Sequence, residues 1–182
     1  MLRGRRDDAG GPGPVRGGGA GGPNRYQMRE KLASFGDDFW IEDGAGRRVF
    51  KVDGKALRVR DTLKIRDAAG HEVAEIQEKL ITVRDTMDIS RDGRTIATVK
   101  KALFTPLRAR FDVSVAGGAD MDVQGNIVDH QYRIEQGGRQ VAEVSKAWFR
   151  VRDTYGVEIQ PGQDDALILA ITVVVDQLSG IG

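Results

Sequence analysis

Alternating apolar and polar positions dominate the chain from residue 24 onward. Leu57, Val59, Leu63 and Ile65 share one parity, and polar residues occupy the positions between them. A period of two is the pattern of a half-buried β-strand. Turn signals rich in Gly and Asp separate such runs at 42–46, 53–55, 69–70, 92–93, 117–118 and 137–138. Short strands at this spacing, without amphipathic helices between them, predict an all-β sandwich or barrel.

The C-terminal segment has a different pattern. Ala166–Val175 is an apolar run of ten residues, against the roughly 20 that span a bilayer. Asp164 or Asp165 is a suitable N-cap and Ser179-Gly180 a suitable stop, so a helix of about 15 residues is predicted, although three consecutive valines favour a strand by propensity. Such a helix is apolar on nearly every side and must be surrounded. Its predicted buried residues are Leu167, Ile168, Leu169, Ile171, Val173, Val174 and Val175. A barrel with this helix through its centre satisfies both patterns.

An internal repeat supports a pseudo-symmetric β structure. Residues 73–87 match residues 141–155 position by position, and 96–111 is a weaker echo. The tripeptide Arg-Asp-Thr occurs at 60–62, 84–86 and 152–154. Its aspartates share the parity of their apolar neighbours, so unbroken alternation would place Asp61, Asp85 and Asp153 inward. Three inward carboxylates could hold a hard cation. The favoured interpretation is a repeated bulge or an Asp–Thr backbone bond, since burying unpaired carboxylates is costly, and no metal site is predicted otherwise.

Composition and charge narrow the class of protein. The 182 residues suggest one domain, and the absence of cysteine excludes disulfides and thiolate zinc sites. Residues 1–23 are rich in Gly, Pro and Arg and are predicted to be a disordered tail preceding a barrel domain at 24–182. The net charge is +1, with +2 in the tail, so the body carries −1. A nearly neutral body argues against a specific nucleic-acid partner. No apolar signal segment is present, so a cytoplasmic protein without a transmembrane span is expected.

The densest basic stretch of the body is the candidate binding site. Lys100, Lys101, Arg108 and Arg110 flank a predicted turn near Thr105-Pro106, where two basic pairs could converge. Four surface cations could hold a lipid phosphate through charge-assisted hydrogen bonds. The alternative is a solvated polar face with the neighbouring apolar residues turned inward.

Catalytic and cofactor motifs are not recognisable. His71 and His130 are the two histidines, and neither has a Ser or Cys arrangement typical of nucleophilic catalysis. No zinc pattern, phosphate-binding loop or dinucleotide fingerprint occurs. Trp148 and Phe149 are adjacent, so one ring is expected to face outward, as an interfacial anchor or beneath a loop. The sequence therefore predicts a protein that is not an enzyme and needs no cofactor.

Two long segments carry a resemblance to a known family. NRYQMREKLASFGDDFWIEDGAGRRVFKV at 24–52 and DMDVQGNIVDHQYRIEQGGRQVAEVSKAWFRVRDTYGVEI at 120–159 resemble the LURP-one-related family. The second segment includes the Gly125-Asn126 pair. The resemblance implies a closed antiparallel β-barrel of about twelve strands around a central hydrophobic C-terminal helix, as in Tubby C-terminal domains and phospholipid scramblases.

The same resemblance carries the expectation for function. Tubby domains bind phosphoinositide head groups through surface basic residues, and scramblases are linked to lipid movement. A non-catalytic binding or scaffold domain is therefore expected, peripheral at the membrane, with anionic phospholipid as its ligand. The alternatives are a protein-interaction or regulatory module whose flexible tail recruits a partner, and a scramblase-like lipid activity.

Overall fold

The structure, a computed structural model, describes residues 21–29, 38–53, 62–79, 85–105, 108–148 and 154–180. These residues form twelve β-strands, one short 3₁₀ helix at Lys146–Trp148 and one α-helix. The strands are β1 Asn24–Arg29, β2 Phe39–Asp43, β3 Arg48–Asp53, β4 Thr62–Asp67, β5 Glu72–Glu78, β6 Thr86–Arg91, β7 Arg94–Thr105, β8 Arg108–Val115, β9 Met121–Asn126, β10 Gln131–Gln136, β11 Arg139–Ser145 and β12 Thr154–Ile159. The helix α1 is Asp165–Ser179.

The twelve strands close into one antiparallel barrel. Each strand pairs with its sequence neighbours, and β1 pairs with β12 from Asn24↔Ile159 to Arg29↔Thr154 to complete the ring. Closure leaves no strand edge exposed for pairing with another chain. The prediction of a closed antiparallel barrel of about twelve strands is confirmed.

Alternation places one face of every strand inside the barrel. Each strand contributes an inward residue with at most 1% of its surface exposed. These are Met28, Ile41, Val52, Ile65, Ile76, Ile89, Val99, Phe111, Val123, Ile134, Val144 and Val157. Bulges in the ladders, for example between Ile134 and Glu135, shift the register locally. At about 25 cal/mol per Å², this apolar interior is the main stabilising contribution.

The helix α1 fills the barrel. The Asp164 carboxylate accepts a hydrogen bond from the Leu167 amide at 3.2 Å and caps the N-terminus. Gly180 ends the helix in the left-handed conformation, with φ 69°, which glycine adopts without steric cost. The seven helix residues predicted to be buried are all buried, with Leu167 the most exposed at 6%.

The internal repeat lies on opposite sides of the helix. Its first copy contains β5 and the start of β6, and its second contains β11 and the start of β12. The copies are six strands apart in a ring of twelve. Equivalent positions therefore face α1 from opposite directions, with Met87 in one copy and Tyr155 in the other.

The two ends of the barrel have different connections. At the end where α1 begins, the strands are joined by short turns at 44–47, 68–71, 92–93, 116–120 and 137–138. At the end where α1 stops, the connections are 30–38, 54–61, 79–85, 106–107, 127–130 and 146–153. We call these the N-end and the C-end of the barrel. Of the predicted tail at 1–23, only Gly21–Pro23 falls among the described residues, directly before β1.

Candidate functional site

The predicted basic hairpin exists as the β7–β8 ladder, with its turn at the C-end. Lys100 pairs with Asp112 across the two strands, and Leu103 pairs with Arg110. The side chains of Lys100 and Arg110 are exposed on the outer face. The side chain of Arg108, in the first position of β8, lies outside the described part of the structure. Lys100 and Arg110 are thus the two predicted site residues that the structure places on one exposed surface.

Lys101 has a different position. Its side chain is 23% exposed, and its Nζ donates to the backbone carbonyl of Leu178 at 2.8 Å and lies 3.5 Å from Asp85. Leu178 belongs to the last turn of α1, where backbone carbonyls lack intrahelical partners. A cation is stabilised there by the helix dipole. Lys101 therefore anchors the helix to the barrel and does not share the exposed surface of Lys100.

Carboxylates lie beside the exposed cations. The Arg110 Nε is 3.2 Å from Asp112, and both side chains are just over half exposed. On the next strand Asp122 pairs with Asp112, so two acids are cross-strand neighbours. Exposed pairs of this kind contribute about 0–1 kcal/mol and are screened by salt. A phosphate could therefore compete with Asp112 for Arg110, but the surface around the pair is mixed in charge.

The Arg-Asp-Thr repeats all precede strands that start at the C-end, namely β4, β6 and β12. The side chain of Asp85 is 61% exposed, so it does not face inward as unbroken alternation would require. The physical reason is local: Thr86 and Met87 are consecutive and both buried, which breaks the alternation that the parity argument assumed. Asp61 and Asp153 lie outside the described residues. Within the described ranges, no group of three or more acidic or histidine side chains is arranged to hold a metal ion.

A polar cluster that the sequence did not predict lies inside the barrel near the C-end. The Asp176 carboxylate on α1 is fully buried and accepts a hydrogen bond from the Tyr155 hydroxyl at 2.6 Å. The His130 ring stacks on Tyr155 with ring centroids 4.3 Å apart. His130 Nε2 lies 3.7 Å from Asp176 Oδ1, which is too long for a hydrogen bond. We call His130, Tyr132, Tyr155, Thr172 and Asp176 the interior cluster.

The hairpin from β9 to β10 is built to place His130 in this cluster. The side-chain oxygen of Asn126, Oδ1, accepts a hydrogen bond from the backbone amide of Asp129 at 3.1 Å. The backbone amide of His130 donates to the backbone carbonyl of Ile127 at 2.9 Å. His130 adopts φ 48°, which is rare for a non-glycine residue. Ile127 is buried at 1% and fixes the turn against the core. The tight turn therefore directs an imidazole inward from a strand connection.

Gly125 makes this approach possible. A Cβ at this position would lie 2.5 Å from the Gln131 carbonyl oxygen and 2.7 Å from the Tyr132 Cα. Its φ of 146° is a conformation that L-residues with side chains rarely adopt. The Gly125-Asn126 pair in the family-like segment thus has a physical role, because only glycine lets β9 lie so close to β10.

Burial controls the electrostatics of the interior cluster. The pKa of Asp176 is raised, chiefly because burial disfavours the charged carboxylate, and His130 and Tyr155 oppose that shift. The pKa of Tyr132 is raised well above its usual value by burial and by the nearby charge of Asp176. In the described part of the chain, four buried side-chain atoms have no hydrogen-bond partner: both ring nitrogens of His130, the Tyr132 hydroxyl and Asp176 Oδ1. Unpartnered buried polar atoms are uncommon, so their clustering here requires an explanation.

The N-end has buried polar residues that are paired. Arg91 is 5% exposed and forms two hydrogen bonds to Asp164, at 2.7 and 3.0 Å, and one to the Val73 carbonyl at 2.8 Å. Asp165 accepts from Tyr26 at 2.7 Å and from Asn24 at 2.8 Å. These contacts join the start of α1 to β1 and β6. They satisfy the charged groups that close the N-end.

Two outward-facing tryptophans lie under arginines. The Arg25 guanidinium is 5.9 Å from the Trp148 ring centroid, and that of Arg48 is 5.5 Å from Trp40. Both rings are half-buried. Of the predicted aromatic pair, Trp148 lies beneath Arg25 on the outer surface, and Phe149 lies outside the described residues. His71 is exposed in the 68–71 turn, 3.1 Å from Asp67.

Two open depressions lie on the outer surface of the described part of the chain. One of about 400 Å³ lies over β9, β10 and β11, and one of about 300 Å³ lies near the 44–47 turn. The first is lined in part by Gln124, Arg133, Gln140 and Glu143. The second is lined in part by Arg25, Tyr26, Asp43 and Arg47. Tyr132 of the interior cluster also lines the first depression, and Asp176 lines neither. Among the described residues, no helix has the length and hydrophobicity needed to cross a membrane.

Comparison with known proteins gives one consistent result. The LURP-one-related family matches residues 24–176. The chain is 29% identical to the uncharacterized protein YxjI of Bacillus subtilis over 152 residues, which are 83% of this chain and 91% of that protein. It is also similar to an X-ray structure of a protein from Arabidopsis thaliana, with a TM-score of 0.65 and 20% identity, over 86% of this chain and 91% of the other. That structural likeness concerns the fold.

Proposed function

Because the chain belongs to the LURP-one-related family, we propose that it is a non-catalytic binding domain that contacts its ligand through its outer surface. The observation that carries this proposal is the filled interior. All residues of α1 from Asp165 to Asp176 are buried, and the helix occupies the space in which a barrel would otherwise enclose a ligand. A ligand must then bind outside the ring of strands.

The proposed ligand is the head group of anionic phospholipids at a membrane surface, on the cytoplasmic side. Lys100 and Arg110 are exposed near the C-end of neighbouring strands, and Arg108 is predicted to join them. Lysine and arginine near an anionic surface contribute about 1 kcal/mol each to binding. Since Asp112 lies beside both described cations, weak and salt-sensitive binding is expected.

Flotation with liposomes tests this proposal. The full chain should float with vesicles that contain an anionic phospholipid and not with neutral vesicles. Lys100→Gln with Arg110→Gln should lower partitioning roughly 25-fold, because each lost cation accounts for about fivefold. The matched control replaces Arg94 and Arg139, two exposed arginines at the N-end.

The outcomes separate a site from general attraction. An equal loss in the control pair, or no loss in Lys100→Gln with Arg110→Gln, would contradict the head-group site. Binding by the full chain that disappears on deleting residues 1–23 would assign the attraction to the arginines of that segment. Dye-labelled lipid exchange in the same vesicles would test for scramblase-like activity.

A second candidate is a protein-binding module, favoured by the two arginine–tryptophan pairs. Tryptophan and arginine are the residue types most enriched among energetically dominant interface positions. Trp40 and Trp148 are half-buried under exposed arginines on the outer face. If the chain binds a protein here, Trp40→Ala should weaken complex formation in cross-linking experiments without lowering vesicle binding. Undiminished complex formation in Trp40→Ala would count against this face.

A further inference from the structure

The interior cluster has two acid–base groups that face each other without a hydrogen bond. His130 Nε2 and Asp176 Oδ1 are 3.7 Å apart, and the two side chains are 1% and 0% exposed. Closing the gap by about 0.8 Å would give an ordinary hydrogen bond. The donor in such a bond is the imidazole, as its neutral Nε2–H tautomer or as the imidazolium, or else a protonated Asp176 carboxyl group.

Each surrounding element contributes one group to the site. The helix provides Asp176, β12 provides Tyr155, β10 provides Tyr132, and the 127–130 turn provides His130. The Tyr155 hydroxyl already donates to Asp176 Oδ2. At the C-terminal end of the helix, Lys101 Nζ donates to the Leu178 carbonyl and lies 3.5 Å from the Asp85 carboxylate.

The number of bound protons decides the charge that is buried. With none beyond the single N–H of a neutral imidazole, the site holds a buried negative charge on Asp176, whichever ring nitrogen of His130 carries that N–H. With two, it holds a positive charge. With one, the pair is neutral overall and both facing atoms are hydrogen-bonded. Because an uncompensated buried charge is costly, the state with one proton is the most stable.

We propose that His130 and Asp176 bind a single proton between them inside the barrel, and that this proton holds the C-terminal half of α1 to the 127–130 turn and β12. The site is sealed from solvent, so its role is to make the attachment of the helix depend on pH. In the unfolded chain the two groups titrate separately, with aspartate ionised above about pH 4 and imidazole mostly neutral above about pH 7. Unfolding at neutral or higher pH therefore releases the shared proton.

Proton linkage measured on the full chain tests the proposal. Urea unfolding would be followed between pH 4 and 9 for the wild-type protein and Asp176→Asn, with His71→Gln as the control for the exposed histidine. Over the window in which folded wild type keeps the proton and the unfolded chain does not, its unfolding constant should rise relative to that of Asp176→Asn by up to tenfold per pH unit. His71→Gln should follow the wild type. Parallel curves for wild type and Asp176→Asn would overturn the proposal.

A direct titration covers the case in which Asp176→Asn does not fold. The carboxyl carbon of Asp176, observed by NMR in folded wild type, should titrate above the ordinary range of aspartates. In His130→Asn it should titrate higher still, because the partner that favours the charged carboxylate is gone. Asparagine accepts the positive φ of this position, so the turn is kept. Titration in the ordinary range, or titration that is unchanged in His130→Asn, would refute the shared proton.

Discussion

The two ends of the barrel hold the same helix by different means. At the N-end, Arg91, Asp164 and Asp165 are paired, and the strand connections are short turns. At the C-end, the interior cluster contains all four buried side-chain atoms that lack a partner within the described residues. Saturated networks stabilise one structure, whereas unsatisfied polar groups in a core reduce stability. Lys101 holds the last turn of the helix at the C-end, so the expected difference between the two ends lies in the interior cluster, whose proposed proton makes that end sensitive to pH.

A charge in the middle of α1 tests the premise that one buried helix supports both ends. Leu169 is fully buried among the strands. Leu169→Asp should unfold the domain, because an unpaired carboxylate would lie inside the barrel. Circular dichroism and urea titration would measure this, with Leu169→Met as the volume-conserving control. A cooperative transition near the wild-type midpoint in Leu169→Asp would show that the helix is not enclosed.

The next largest effect is expected at the N-end. Arg91→Leu removes the Arg91 ion pair with Asp164 and its hydrogen bond to the Val73 carbonyl. A loss of about 3 kcal/mol in the free energy of unfolding is expected from breaking a largely buried pair. Arg94→Leu, an exposed residue on the other side of the same turn, should stay within about 0.5 kcal/mol.

A double variant identifies the cause of that loss. Arg91→Leu combined with Asp164→Ser removes both charges but keeps an N-cap side chain. It should be more stable than Arg91→Leu alone if the uncompensated carboxylate is what destabilises. A double variant that is less stable than the single one would mean that packing around Arg91 matters more than the charge.

Local pattern was sufficient to predict the helix and the strands, because both depend on residues near one another in sequence, whereas the closed ring of about twelve strands was implied by the family resemblance. The caps of α1 are within its own segment, and its apolar run required an enclosure. The interior cluster could not be predicted in this way. Asp176 meets Tyr155 and His130, which are distant in sequence, only after the ring of strands has closed. The signal for this cluster in the sequence was a single aspartate, Asp176, directly after three valines.

The assumption that buried and exposed residues alternate along a strand failed where the backbone departs from that alternation. Thr86 and Met87 are consecutive and both buried, and Asp85 faces outward, whereas unbroken alternation would place it inward. Lys100 and Lys101 are adjacent, so they cannot share one face of a strand. The grouping of four cations by sequence proximity therefore combined an exposed residue with one that binds the end of α1.

Substitution of Gly125 tests whether the close approach of β9 to β10 is needed to place His130 at the C-end. Gly125→Ala should destabilise by about 1–3 kcal/mol, because the added Cβ meets the backbone of β10 in a conformation reserved for glycine. Gly137→Ala is the matched control, since Gly137 also has positive φ, at 57°, but has open space around it. The comparison separates the steric clash from backbone strain. Equal losses in the two variants, measured by urea unfolding, would show that the close approach to β10 is not limiting.

The smallest expected loss of stability is that of Tyr155→Phe, and its dependence on pH is expected to be specific to the C-end. Tyr155→Phe removes the 2.6 Å hydrogen bond to Asp176 and should lower stability by about 1 kcal/mol. That bond favours the ionised carboxylate, so its loss raises the pKa of Asp176 further. A raised pKa contributes stability that is complete below the unfolded value of 3.8 and is lost as pH rises through the folded value. The destabilisation by Tyr155→Phe should therefore be small in acid and grow with pH to a plateau. In an Asp176→Asn background the pH dependence should vanish, and if it persists there, it arises elsewhere than at the interior cluster.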